Sequence, residues 1–293
     1  MEKGFYTALG TSLNEDFTFC EAGMREQIEQ QIAAGASGLL VMGSMGNMSY
    51  LKDSEYAKVA KCSVDAAKGR IPVLVGVTDV SIGRVMDRVK ALEGIEGIDG
   101  IVSTIPYYAM PSQDQIFTFY NEVANRAARP TYLYDLPVIT KVPTQVQTVK
   151  RLWKNPYIKG IKSGNMVTQR LLMRSPDRPS DFTQMFSNID EFDIAYAYGI
   201  CHNLDGMFSC TPKTAKKAYT AFAAGDMKMG SEALDDILAL RDLFVSTGCL
   251  MSAFTHSMNL LGCKGIFGRD YESDISEEMK EKVTCALKAM GEI

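Results

Sequence analysis

Histidine is scarce in this chain: His202 and His256 are the only two among 293 residues, and neither stands in an H-E-x-x-H spacing. That argues against a zinc centre, and we expect no metal. No G-x-S-x-G elbow precedes either histidine, which argues against a Ser-His-Asp hydrolase. Cysteine comes as an odd set of seven (Cys20, Cys62, Cys201, Cys210, Cys249, Cys263 and Cys285) with no C-x-x-C pair. Such a set reads as reduced, mostly buried thiols of a cytoplasmic protein rather than a disulfide framework. No apolar run approaches the ~18 residues that a membrane span needs. The opening residues, Met1 to Tyr6, lack the apolar stretch of a secretory signal. A net charge of −4 and a pI near 5.4, with Lys and Arg scattered, leave no nucleic-acid footprint. No low-complexity block or single-sign charge run is present either. Any acid–base chemistry therefore falls to lysine, tyrosine, carboxylates or hydroxyls.

What is present is apolar material in a repeating order. Hydrophobic residues make up 46% of the chain and charged residues 23%, enough for a large core. Short runs rich in Val, Ile, Leu, Tyr and Phe predict eight strands, at 4–9, 38–42, 72–77, 100–104, 131–135, 158–162, 182–187 and 206–210. They lack clean polar alternation, as strands covered on both faces do. Helical spacing lies between them. Met24, Ile28 and Ile32 recur every fourth residue before Gly35, and Val85, Met86, Val89 and Leu92 form a second stripe. Ser112 and Gln115 have capping-box spacing for a helix running to Arg126. Pro143 and Thr144 open a helix through Trp153, and 213–224 makes the eighth. Eight β-then-α units form either a closed barrel or an open doubly wound sheet. No strand is followed by a G-x-G-x-x-G turn, which favours the α/β class (β/α)8 TIM barrel over the dinucleotide fold. We expect the barrel over residues 1–225. A three-helix extension over 226–293 follows, with helices at 227–245, 250–261 and 276–290, packed on the barrel.

Barrel chemistry sits at the C-terminal ends of the strands. In Ile158-Lys159-Gly160-Ile161-Lys162, period-two alternation puts Lys162 on one face with Gly160 below it and Lys159 on the other. A desolvated lysine is a nucleophile toward carbonyls and forms a Schiff base; a strand-end lysine can equally snorkel to solvent. Tyr134 ends the neighbouring strand, either as a proton relay or as core packing. Gly43-Ser44-Met45-Gly46 presents consecutive N–H groups that can nest a carboxylate, or is simply a loop with a capping serine. Tyr107 and Tyr108 serve equally as rim, subunit contact or site. Asp190 and Glu191 can accept from sugar hydroxyls or favour a helix dipole, and Ser209 lies at the expected eighth strand end.

Together and in this order, four segments resemble the dihydrodipicolinate synthase/N-acetylneuraminate lyase family over essentially the whole chain. They are Gly43-Ser44-Met45-Gly46-Asn47, Pro106-Tyr107-Tyr108, Tyr134-Asp135-Leu136-Pro137 and Gly160-Ile161-Lys162. They match the family's G-[ST]-[ST]-G-E loop, P-Y-Y, Y-N-x-P and G-[IV]-K patterns. The resemblance implies class I aldolase chemistry without metal or organic cofactor. It implies that Lys162 forms the Schiff base with pyruvate and that Tyr134 is the acid–base residue. Ser44 and the Met45 backbone would hold the carboxylate, and Tyr108 would join the relay from a neighbouring subunit of a homotetramer built as a dimer of dimers.

The departures shape the expected substrate. Met45 stands for the second hydroxyl residue, Asn47 for the loop glutamate and Asp135 for the asparagine after the tyrosine. Ile139 stands where synthases carry an arginine for the aldehyde's carboxylate, and Gly164 where sialic acid lyases carry a threonine. Asp190 and Glu191 resemble the acidic pair with which those lyases hold sugar hydroxyls. The expected activity is therefore a pyruvate-dependent, N-acetylneuraminate lyase-like cleavage of a 2-keto-3-deoxy sugar acid. The alternatives are a 4-hydroxy-tetrahydrodipicolinate synthase-type condensation of pyruvate with an aldehyde, and a keto-acid sensor without turnover. A phosphate-handling barrel is disfavoured, because no Gly-rich cradle follows strands seven or eight.

Overall fold

The computed structural model describes residues 1–293. In chain order it begins with β1 (Gly4–Ala8), α1 (Glu21–Ala34), β2 (Gly38–Val41), α2 (Asp53–Ala67), β3 (Val73–Gly76) and α3 (Ile82–Ala91). There follow β4 (Gly100–Thr104), α4 (Gln113–Ala127), β5 (Thr131–Asp135), the short α5 (Pro137–Thr140), α6 (Val146–Leu152) and β6 (Ile158–Ser163). The barrel is completed by α7 (Met166–Met173), β7 (Thr183–Phe186), α8 (Phe192–Ala197), β8 (His202–Asp205) and α9 (Pro212–Ala223). Three helices close the chain: α10 (Met227–Ser246), α11 (Leu250–Leu260) and α12 (Glu277–Met290).

The strands form a closed parallel barrel in the order β1 to β8, with β8 pairing back to β1 through Gly4–His202 to Thr7–Asp205. This is a (β/α)8 TIM barrel with a C-terminal helical extension, as expected. Its interior is filled by Tyr6, Leu40, Leu74, Val102, Tyr132, Met185 and neighbours, while the opposite faces of the strands pack on the helix layer. The register of β5 on β6 sets Tyr132 beside Gly160 and Tyr134 beside Lys162. A Cβ at Gly160 would lie 2.7 Å from the Tyr132 ring and 2.4 Å from the Thr183 carbonyl oxygen. Glycine there lets a tyrosine fill the barrel floor directly beneath the lysine.

The expected capping box forms: Ser112 Oγ accepts from Gln115 N–H and the Gln115 side chain accepts from Ser112 N–H. The last three helices fall within a residue or so of their expected bounds. One strand differs. The segment 206–210 is not β8; it turns out of the barrel through a 3-10 turn at Met207–Ser209. The true strand, His202-Asn203-Leu204-Asp205, is mostly polar, and its polar groups are satisfied from outside. Tyr219 Oη donates to Asn203 Oδ1 at 2.8 Å, and Asn203 Nδ2 donates to the Ile200 carbonyl. The apolar run that mimicked a strand buries Phe208 in the helix layer against Phe5, Phe192 and Tyr219.

Candidate active site

A cavity of about 580 Å³ opens at the C-terminal ends of the strands, with Ser44, Met45, Tyr134, Lys162, Asn188 and Arg241 among its lining side chains. Lys162, on the last turn of pairing between β5 and β6, is only 6% exposed. Its ammonium lies over the Tyr134 ring, 3.8 Å from the centroid, and makes no salt bridge. The electron-rich ring face supports the cation without taking it out of reach as a carboxylate would. Lys159 faces the other way and is paired with Asp181, as alternation requires. Tyr134 Oη and Ser44 Oγ are 3.1 Å apart, so a hydroxyl chain runs from beside the amine to the β2 loop.

That loop is rigid because it is tied from behind. Met42 and Asn47 take the left-handed backbone region, with φ of 53° and 58°. Asparagine tolerates that region well, and Asn47 Nδ2 is turned away from the cavity to donate to the Phe267 carbonyl at 3.0 Å. Thr11 Oγ1 donates to Gly46 O, and the buried Arg88 donates to Met48 O while pairing with Asp79. Burial pushes the Asp79 carboxyl up, but the Arg84 hydrogen bond, with the Val80 N–H and Arg88 beside it, holds it below its ordinary value. At Gly46 a Cβ would sit 2.8 Å from Met42 N, so the turn needs glycine for close approach. Held this way, the N–H groups of Ser44, Met45 and Gly46 donate to no acceptor of the protein. Ser44 caps no helix. Met45 lines the cavity and packs against Gly206, where a Cβ would stand 2.1 Å from its Cγ.

Several expected site residues lie elsewhere. Asp190 and Glu191 do not line the cavity. They belong to a 3-10 turn before α8 that faces α10, where Asp190 binds Arg241 at 2.6 Å. Ser209 is fully buried and donates to Ala8 O, because β8 ends before it. Tyr108 is 94% exposed and outside the cavity, with Tyr107 half-buried beside it. Ile139 is exposed on α5 and does not reach the cavity, whereas Val138 does. Asp135, next to Tyr134 at the cavity wall, is buried and accepts from Thr144 N–H and Ser163 Oγ, bracing β5 to β6. Burial raises its carboxyl above the ordinary range.

Two charged site residues escaped sequence reasoning. Arg241 reaches the cavity from α10, and no local pattern marks it. Asp205 ends the unrecognised β8, lines the cavity, and accepts from Met207 N–H. Burial raises its carboxyl, against the opposing pull of Lys162 and Arg241.

Comparison with known proteins follows the same lines. The chain is similar to the 4-hydroxy-tetrahydrodipicolinate synthase of Acidiphilium cryptum, 27% identical over 292 residues and 99% of each chain. It is likewise similar to the enzyme of that name from Methanopyrus kandleri, 28% identical over 99% of this chain and 96% of the other. The fold superposes on the crystal structure of dihydrodipicolinate synthase from Thermotoga maritima with a TM-score of 0.89 over 100% of both chains, at 21% identity. Residues 1–290 match the model of the dihydrodipicolinate synthetase family, so the chain belongs to that family of class I, pyruvate-dependent lyases and aldolases.

Proposed function

We propose that Lys162 is the Schiff-base residue and that this enzyme joins pyruvate to an aldehyde by a 4-hydroxy-tetrahydrodipicolinate synthase-type condensation. The observation that carries the first half is the buried, unpaired Lys162 ammonium on the Tyr134 ring, with the Tyr134 hydroxyl 3.1 Å from that of Ser44. The amine adds to the pyruvate carbonyl carbon, and water leaves to give an iminium. The iminium withdraws electrons, so the methyl carbon loses a proton and the resulting enamine attacks the aldehyde carbon. The alkoxide takes a proton, and water returns to release the product and free lysine. Tyr134 and Ser44 carry the protons. The N–H groups of Ser44 and Met45, which line the cavity and have no acceptor in the protein, hold the pyruvate carboxylate.

Two points support the condensation over sugar-acid cleavage. The similar curated proteins carry the synthase name. The acidic pair expected to hold sugar hydroxyls is turned to Arg241 instead. The N-acetylneuraminate lyase-like reading keeps the cavity's neutral polar groups, Asn165 and Asn188, as acceptors and donors for hydroxyls. Tyr108 belongs to the same proposal: so exposed on its own chain, it serves a relay only across a contact between copies, as in the expected homotetramer. Seven unpaired cysteines, and no helix long and apolar enough to cross a membrane, support a reducing cytoplasmic setting.

Borohydride added with pyruvate should place a reduced pyruvyl group on the Lys162 peptide, read by mass spectrometry. An unmodified Lys162 at saturating pyruvate sinks the aldolase reading for this site. A panel of aldehydes with pyruvate then ranks the partners. Preference for a polyhydroxy aldehyde over a carboxylated one returns the assignment to sugar acids, and an adduct with no turnover on any partner marks a sensor.

A further inference from the structure

Apart from Lys162, Arg241 is the only cationic side chain lining the cavity. When the second reactant is attacked, the Lys162 nitrogen is part of the neutral enamine, so any anionic group on that reactant meets this guanidinium or none. Lys141, the other candidate near the position of Ile139, has its ammonium on the Val138 carbonyl and does not line the cavity. Arg241 itself is held on its outer side. Nη1 donates to Asp190 at 2.6 Å, while Nε and Nη2 both donate to Asp242, at 3.0 and 2.8 Å. Three of the five N–H groups of the fork are thereby used, leaving one on each Nη. The arginine side chain is 25% exposed, whereas Asp190 and Asp242 are 52% and 68% exposed, and neither lines the cavity. Ion pairs to such exposed carboxylates contribute little on their own, but they fix the direction of a long side chain. A substrate carboxylate inside the cavity is desolvated and has no other cation, so its charge-assisted bonds to the same fork are stronger.

We propose that Arg241, supplied by the C-terminal extension, binds a carboxylate on the aldehyde partner, with Asp190 and Asp242 as positioning residues. This deepens the condensation reading and rests on it. It also gives the molecule a cation that the strand-five position, occupied by Ile139, lacks.

The test compares Arg241→Gln with the unchanged enzyme on two aldehydes of equal length, one ending in a carboxylate and one in its neutral amide. Both are reacted with pyruvate while Lys162 trapping is followed in parallel. Expected is a rise in KM for the carboxylated aldehyde that exceeds any rise for the neutral one by roughly ten- to a hundredfold, with Lys162 still trapped by pyruvate. KM for the carboxylated aldehyde should also rise with salt in the unchanged enzyme and not in the variant. Equal effects on both aldehydes make Arg241 a structural staple between α10 and the turn before α8, and overturn the proposal, as does no effect on either. Should Arg241→Gln fail to fold, Arg241→Lys keeps the charge without the fork, and its preference for the charged aldehyde should fall several-fold; an unchanged preference overturns the proposal. Failure to trap pyruvate on Lys162 in the unchanged enzyme instead removes the aldolase reading, so the two failures are separable.

Discussion

Lys162 rests on an aromatic face instead of a carboxylate, and this sets what its neighbour must do. A phenol that both underlies the amine and hydrogen-bonds Ser44 supports two separate steps. In Tyr134→Phe the ring and its packing remain, so the fold and pyruvate capacity should largely persist while turnover falls by roughly two to four orders of magnitude. Steady-state kinetics beside borohydride trapping measures this, and wild-type turnover contradicts the relay. Asp205 allows a different test. Its folded carboxyl binds a proton more tightly than the unfolded chain does, so stability falls as pH rises from its ordinary value through the raised one, and the loss persists above it. Asp205→Asn keeps an acceptor for Met207 N–H and removes the buried charge. Its thermal midpoint at neutral pH should exceed the parent's. The gap should close near pH 4, where melts in acid would show it. A variant no more stable at neutral pH means that the Lys162 and Arg241 charges already offset burial.

At the scale of elements, legibility followed apolar content. Seven strands stand close to where their Val, Ile, Leu and Tyr runs indicate, because strands covered on both faces must be apolar. β8 breaks that rule: three of its four residues are polar, and one of the groups that satisfy Asn203 is Tyr219 on α9, sixteen residues on. A polar strand with an apolar turn after it shifts the strand end, and that shift made Ser209 look like a site residue. The β2 loop, Tyr134 and Lys162 were legible because each sits on its own strand end. Asp190 and Glu191, expected to hold substrate hydroxyls, lie outside the cavity, and nothing local to Asp190 discloses its guanidinium partner on α10. The departures at Asn47 and Asp135 likewise have structural reasons that only their partners reveal: Phe267 O for one, Thr144 and Ser163 for the other.

For the whole molecule, the expected division at 225/226 follows chain order, but the packing crosses it. One apolar cluster joins Phe5, Phe186 and Phe208 of the barrel to Leu234, Phe244 and Phe254 of the extension. Backbone ties cross as well: Leu13 bridges Ile266, and Asn47 in the β2 loop is bonded to Phe267. We propose that the two parts fold as one unit. A chain ending at residue 225 should therefore be recovered aggregated, or binding an apolar dye and melting without a cooperative transition. A cooperative melt and retained pyruvate trapping by that fragment would show an autonomous barrel.

The origin of Arg241 on α10 has an evolutionary consequence. Lys162, the proposed Schiff-base residue, is embedded in a barrel strand, where its register, the ring beneath it and the glycine below leave little freedom to drift. Arg241, on a helix outside the barrel and held by two exposed carboxylates, is under no such restraint. Exchanges on α10 can therefore retune which second reactant is accepted while the covalent chemistry is inherited unchanged, so descendants of one aldolase can part ways in diet without reinventing the reaction.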